Sequence, residues 1–226
     1  MLLRIPNVLA PDELAKCRER LEAAEWGDGK ATAGHQSVKV KHNLQLAQDS
    51  ATARELGALV VAALERSTLF VSAALPLHVF PPLFNKYEPG MAFGAHVDNA
   101  IRQVPGTPHR IRTDVSATLF ITAPEDCDGG ELIVEDTYGM HSVKLPAGDM
   151  ILYPATSLHR VAPVTRGSRI AAFFWIQSMV KDDGERTLLF NLDRAIVQLG
   201  QAAPDQPALV QLTAIYHNLL RKWGET

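Results

Sequence analysis

The sequence predicts an α+β protein in which a β sandwich or jelly roll lies between helical segments. Three observations carry this. From Pro81 to Gln177, short runs of β-branched and aromatic residues are separated by Gly, Pro and Asp turn signals. On either side of that stretch, apolar residues recur at helical rather than alternating spacing. Hydrophobic residues make up 46% and charged residues 21% of the 226 positions, the composition of one packed globular unit with an appendage.

Residues 11 to 26 read as a helix. Pro11 suits its first turn, Asp12 and Glu13 favour its positive end, and Leu14, Cys17, Leu21 and Ala24 share a face before Gly27 and Gly29 stop it. A second helix runs from Ser50, a natural N-cap, to Arg66, with Leu56, Leu59, Val60, Ala63 and Leu64 as its apolar stripe. The strands expected next are Leu83 to Glu88, Ala92 to Val97, Asp114 to Thr122 and Glu131 to Glu135. His141 to Leu145, Asp149 to Tyr153, Leu158 to Pro163 and Arg169 to Gln177 complete the set, and strands at this spacing suggest a sandwich or jelly roll. Gly129 and Gly130 in EDCDGGEL end one strand and begin the next. Asn99 to Thr113 has no regular periodicity and reads as a long functional loop. After Lys181, Leu188, Leu192, Ile196 and Leu199 mark a helix, Pro204 and Pro207 break it, and Leu209, Leu212, Tyr216, Leu219 and Trp223 mark another. The chain thus divides into an N-terminal support (1–80), a β core (81–178) and a C-terminal helical hairpin (179–226).

Net charge is −3, so no global positive field gathers nucleic acid or an anionic membrane. No run of about 18 apolar residues occurs, and a membrane span is not expected. Arg4 and Pro6 interrupt the stretch where a signal peptide would need its apolar run. The two cysteines, Cys17 and Cys127, form no CxxC pair, and a reducing cytoplasm fits them. No P-loop, dinucleotide fingerprint or GxSxG elbow is present.

The chemistry concentrates in GAHVDNA and YPATSLHRV. Strand side chains alternate, so His96 and Asp98 share a face and can chelate one cation. A jelly roll that pairs the later strand beside them adds His159. Two histidines and a carboxylate leave coordination positions open, the arrangement of non-haem Fe(II) oxygenases. Arg169 opens the apolar strand RIAAFFWIQ, where a cation is costly to bury without an anion. A carboxylate of 2-oxoglutarate held in the guanidinium fork would satisfy it. The other histidines, His35, His42, His78, His109, His141 and His217, have no partner at chelating spacing and read as surface or packing residues.

The segments WGDGKATAGHQS, FNKYEPGMAFGAHVDNA and GDMILYPATSLHRVAPVTRGSRIAAFFWIQS resemble the bacterial PKHD-type hydroxylases, relatives of the prolyl and lysyl hydroxylase catalytic domain. The resemblance runs from Trp26 through the C-terminal helices. It implies a double-stranded β-helix core, iron on His96, Asp98 and His159, and the distal carboxylate of 2-oxoglutarate on Arg169. It also implies Fe(II), 2-oxoglutarate and O2 as reactants, L-ascorbate as reductant, and succinate and a hydroxylated organic substrate as products. Some relatives are associated with iron uptake, which points to a siderophore-linked small molecule. Within this family pattern Tyr87 either hydrogen-bonds the co-substrate or is an aromatic core residue. Asn85, two residues earlier on the same face, either binds co-substrate or closes a turn.

Two other functions compete. A zinc hydrolase accepts the same ligand set, with one position left for water, but gives Arg169 no task. A non-catalytic jelly-roll binding module uses the fold without the metal. The apolar seam of the last helix either forms a homo-oligomer interface or packs on the β core. Arg102, His109, Arg110 and Arg112 make Asn99 to Thr113 either a basic lid for an anionic substrate or ordinary solvated surface.

Overall fold

A computed structural model describes residues 1–32 and 37–226; His35 and part of the WGDGKATAGHQS segment lie outside the described residues. The chain begins with β1 (Leu3–Ile5), α1 (Pro11–Glu22), β2 (Trp26–Asp28), β3 (Lys41–His42) and β4 (Leu44–Leu46). Then come α2 (Ala51–Arg66), α3 (Thr68–Ala74), β5 (Pro76–Val79), β6 (Leu83–Tyr87) and β7 (Ala92–His96). β8 (Ile101–Gln103), β9 (Arg110–Arg112), β10 (Val115–Phe120), β11 (Cys127–Gly129), β12 (Leu132–Asp136) and β13 (Gly139–Val143) follow. The last elements are β14 (Met150–Pro154), β15 (Leu158–Val161), β16 (Val164–Gly167), β17 (Arg169–Ser178), α4 (Asp183–Ala202) and α5 (Ala208–Trp223).

Two antiparallel sheets form the body. The larger has the order β1-β14-β10-β17-β6-β4-β2, with β5 also on β17, and the smaller has the order β13-β12-β15-β7-β3. Alternation along the central strands assigns their two faces. Val115, Ala117 and Leu119 of β10 and Ala172, Phe174 and Ile176 of β17 meet the helices through Leu56, Val60, Leu64 and Phe70. The intervening positions of the large sheet face the small one, where Tyr87, Phe120 and Tyr153 pack with Leu132, Val134 and Val161. Both faces of β10 are therefore covered, and all six of its residues are buried.

The eight expected strands are present with ends shifted by one or two residues, and Ser50 caps α2 by accepting a hydrogen bond from Ala53 N (3.1 Å). The first helix is shorter than expected. It stops at Glu22, Trp26 Nε1 donates to Leu21 O (3.1 Å), and Trp26 then pairs with Leu46 in the large sheet. Cross-strand pairing there overrides the helical period. Gly29, read as a helix stop, instead leaves room for Asn43, whose Oδ1 would lie 1.9 Å from a Cβ at that position. The segment Asn99 to Thr113 is not irregular: β8 and β9 form a hairpin, with Gly106 at φ +72° in its turn. α3, with seven residues, and the strands of two to four residues escaped the sequence because so few residues barely show a period.

Part of the seam of α5 packs within the chain: Tyr216, Leu219 and Trp223 meet Leu75, Val180 and Leu189. Among the described residues no single helix is long and apolar enough to cross a membrane. α2 and α3 pass that test only as a pair bent by 86°, and both bury residues in the core.

Candidate active site

The antiparallel register of β15 and β7 sets His159 directly opposite His96, with ring centroids 4.2 Å apart. A bulge in β7 follows, since Val161 faces Phe93, and bulges of this kind re-aim side chains beside functional sites. His96 Nδ1 donates to Gly94 O (2.8 Å) and His159 Nδ1 donates to Ser157 O (3.0 Å). A carbonyl only accepts, so each Nδ1 carries a proton, which leaves Nε2 as the ring atom that can bind a metal. Burial, reinforced by His159, pushes the His96 imidazole well below its ordinary pKa and keeps it neutral.

Asp98 was expected on the strand with His96. It lies just past the end of β7 and is held from the opposite sheet, where Ser116 Oγ of β10 donates to Asp98 Oδ2 (2.6 Å). Asp98 Oδ2 is 3.8 Å from His159 Nε2, and one donor atom from each of the three residues lies within 4.8 Å of the others. Two imidazoles and a carboxylate converging this closely fit a divalent first-row metal with open positions. They are the one group of this kind among the described residues. His42, His78, His109, His141 and His217 do not join it; His141 Nε2 bonds the exposed Asp136 (2.9 Å).

The triad opens into a cleft that also takes in Arg169, Tyr87 and Asn85. Arg169, only 3% exposed, pairs across the sheet with Tyr87, and its guanidinium lies 5.4 Å from the ring centres of both Tyr87 and Phe120. Its hydrogen bond, from Nη1 to Asn85 Oδ1, is long at 3.4 Å, and its Nε has no partner. No carboxylate among the described residues forms an ion pair with it. Tyr87 Oη and the Asn43 side chain are buried within reach of each other but form no hydrogen bond of good geometry. Burial pushes the Tyr87 hydroxyl up to about 12, so it remains a donor. A buried cation ringed by idle donors and acceptors fits an anionic co-substrate. Gly129 and Gly130 do mark the β11–β12 corner. Gly130, at φ +70°, also backs onto Arg169, whose Cδ would be 3.0 Å from a Cβ there.

Sequence reasoning missed Ser116, Asn43, Lys41 and the inward turn of Arg102. Lys41, 4% exposed, lines the cleft and donates to Gln45 Oε1 (3.1 Å). The alternation of Lys41, Asn43 and Gln45 within KHNLQL was a legible sign of a polar strand face. Arg112 proves not to be a lid cation, since it binds Asp114 (2.7 Å) and Glu225 (2.9 Å) and fastens the hairpin to the C-terminus.

The 2OG-Fe(II) oxygenase superfamily model matches residues 82–177, and the PKHD-type hydroxylase C-terminal domain matches residues 183–225. The PKHD-type hydroxylase of Methylobacterium nodulans is 62% identical over 226 residues, and PKHD-type hydroxylase PiuC of Pseudomonas aeruginosa is 58% identical over 225, with 100% of both chains covered in each case. The chain belongs to the PKHD-type hydroxylases. It is an Fe(II)- and 2-oxoglutarate-dependent hydroxylase, which sets aside the zinc hydrolase and the non-catalytic module. Among solved structures, a Pseudomonas putida prolyl-4-hydroxylase aligns with TM-score 0.51 at 20% identity, covering 78% of this chain and 92% of its own. A prolyl hydroxylase from Trichoplax adhaerens aligns with TM-score 0.56 at 16% identity, covering 83% and 86%. At that identity the likeness concerns the fold, a double-stranded β-helix.

Proposed function

We propose that His96, Asp98 and His159 hold the iron through two Nε2 atoms and a carboxylate oxygen, and that 2-oxoglutarate sets its distal carboxylate on Arg169. The observation that carries this is the buried Arg169 guanidinium with no anionic partner among the described residues. Tyr87 and Asn85 are positioned to complete the carboxylate's hydrogen bonds, Tyr87 as donor and the Asn85 amide as donor once it rotates. Iron bound there supplies the oxygen chemistry, in which O2 and 2-oxoglutarate yield succinate, carbon dioxide and a hydroxylated substrate.

The chain's own groups do the rest. Ser116 fixes one Asp98 oxygen, the two backbone carbonyls fix the imidazole tautomers, and Phe93, Leu132, Val161 and Phe173 exclude water from the cleft. Residues 81–178 carry the reaction, 1–80 complete its wall and 179–226 brace it. The substrate is an organic molecule with anionic character. L-ascorbate as reductant and a place near iron uptake belong to the same reading, on the strength of the family resemblance. A reducing cytoplasm suits the two free, buried cysteines. The C-terminal helices are the surface that self-association would use, through the part of the α5 seam left partly exposed.

The test is anaerobic loading with Fe(II), then metal analysis and succinate release on admitting oxygen. His96→Ala, Asp98→Ala and His159→Ala should each lose metal and succinate formation while keeping the wild-type circular dichroism. Turnover retained by any one of them removes that residue from the metal site.

A further inference from the structure

Arg102 sits at the middle of β8, and its neighbours Ile101 and Gln103 are exposed while it turns into the cleft. Its guanidinium lies 3.8 Å from the ring centre of Trp175 and 5.4 Å from that of Phe80. A guanidinium stacked on an indole has a face occupied and its N–H edge free, the edge that binds an oxyanion in bidentate fashion. Among the described residues it makes no ion pair and no hydrogen bond; the Asp98 carboxylate is the opposite charge that bears on it. Lys41 lines the same cleft close enough for the two charges to repel, and Arg102 adds to the burial that lowers the Lys41 pKa to about 8.

This matters for the assembled site, and the step rests on the function proposed above. With neutral imidazoles, the formal charges of Fe(II), Asp98, the 2-oxoglutarate dianion and Arg169 cancel. Arg102, which makes no ion pair among the described residues, is then positive charge in excess inside the cleft, an arrangement that a second anion would stabilise, while the Lys41 charge is opposed in part by Asp28. We propose that Arg102 and Lys41 form an oxyanion subsite, separate from Arg169, that grips a carboxylate or phosphate of the substrate and so presents a neighbouring C–H to the metal triad. The substrate class is therefore a small acid, with its acidic group near the carbon to be hydroxylated and an apolar body against Phe173. The hairpin is thus a wall that carries one specificity residue rather than a diffuse basic lid.

The experiment is anaerobic calorimetry on protein loaded with Mn(II) and saturating 2-oxoglutarate. Its probes are benzoate and phenyl phosphate, with neutral benzamide as control. Both anions should bind, benzamide should not, and the preferred anion identifies the acidic group. Arg102→Gln should weaken the anions roughly tenfold, the worth of one charged hydrogen-bonding partner, with 2-oxoglutarate affinity within about twofold of wild type. Lys41→Met, read independently, should weaken them in the same direction, and Arg102→Lys should retain part of the loss-free affinity. Benzamide binding as well as benzoate, no anion binding at tens of millimolar, or unchanged anion affinity in Arg102→Gln each overturns the subsite. A fall in 2-oxoglutarate affinity with anion affinity intact also overturns it, by assigning Arg102 to the co-substrate. Wild type that takes up no 2-oxoglutarate at all sinks instead the function on which the subsite rests.

Discussion

Two arginines of this protein are equally buried and serve opposite ends. Arg186, at the start of α4 and 2% exposed, donates to Val180 O (2.8 Å) and to Asp183 Oδ1 (2.7 Å). Its charge is met by the chain itself, and it ties the C-terminal hairpin to the end of β17. Arg169, 3% exposed in the β core, has one long bond to Asn85 and an idle Nε. Burial depresses its pKa, and no carboxylate answers it among the described residues. A buried charge with partners is scaffold; one without them is a demand for a ligand. The hairpin cations repeat the contrast, with Arg112 answered by Asp114 and Glu225 and Arg102 stacked but unpaired.

The largest effect that would break the comparison is on co-substrate affinity. Arg169→Met should weaken 2-oxoglutarate binding by about 100-fold through loss of an ionic anchor, with metal content retained and thermal stability equal to or above wild type. A destabilised variant with normal 2-oxoglutarate affinity would make Arg169 a scaffold residue. Arg186→Met should behave in reverse. It should lose about 2 kcal/mol of unfolding free energy in urea titration, because it strands a buried carbonyl, and leave 2-oxoglutarate affinity unchanged.

The next effect is smaller. Trp223→Glu removes an aromatic from the cluster around Val180 and Leu189 and should lower the melting temperature by several degrees, at about 2–4 °C per kcal/mol for a chain of this size. Light scattering should show no loss of mass. A halved mass at unchanged stability would return that seam to an oligomer interface.

The smallest effect sharpens the contrast at Lys41. Burial, and then Arg102, lower its folded-state pKa to about 8, whereas an unfolded lysine titrates near 10.4. At neutral pH both states hold the proton and the fold bears the buried charge. Between those two values only the unfolded chain holds it, so stability rises with pH across that window. Lys41→Met lacks this gain, and wild type should therefore become more stable relative to the variant as pH is raised from about 7 to about 10. A difference independent of pH would mean that Lys41 is not held against its own charge.

Much of the site was legible along the chain because its signals are local. His-x-Asp spacing, a histidine opening a later strand and an arginine at the head of an apolar run each need only neighbouring residues to be read. Family likeness reinforced them. The role of the basic stretch from Asn99 to Thr113 stayed open, because composition cannot tell which cation turns inward. That is decided by β8 alternation, by Trp175 from β17 and by Glu225 at the far end of the chain.

The sequence by itself determined the α+β architecture, the central strands, the helical hairpin and the three residues proposed as metal ligands, since period, turn residues and ligand spacing are properties of contiguous segments. Only the tertiary structure decided how those ligands converge. The β7–β15 register sets one histidine against the other, Ser116 reaches Asp98 from the opposite sheet, and Lys41 and Asn43 arrive from a strand far earlier in the chain. Those contacts join residues distant in sequence through cross-strand hydrogen bonds and the packing of two sheets, and no local pattern encodes which strand will lie beside which.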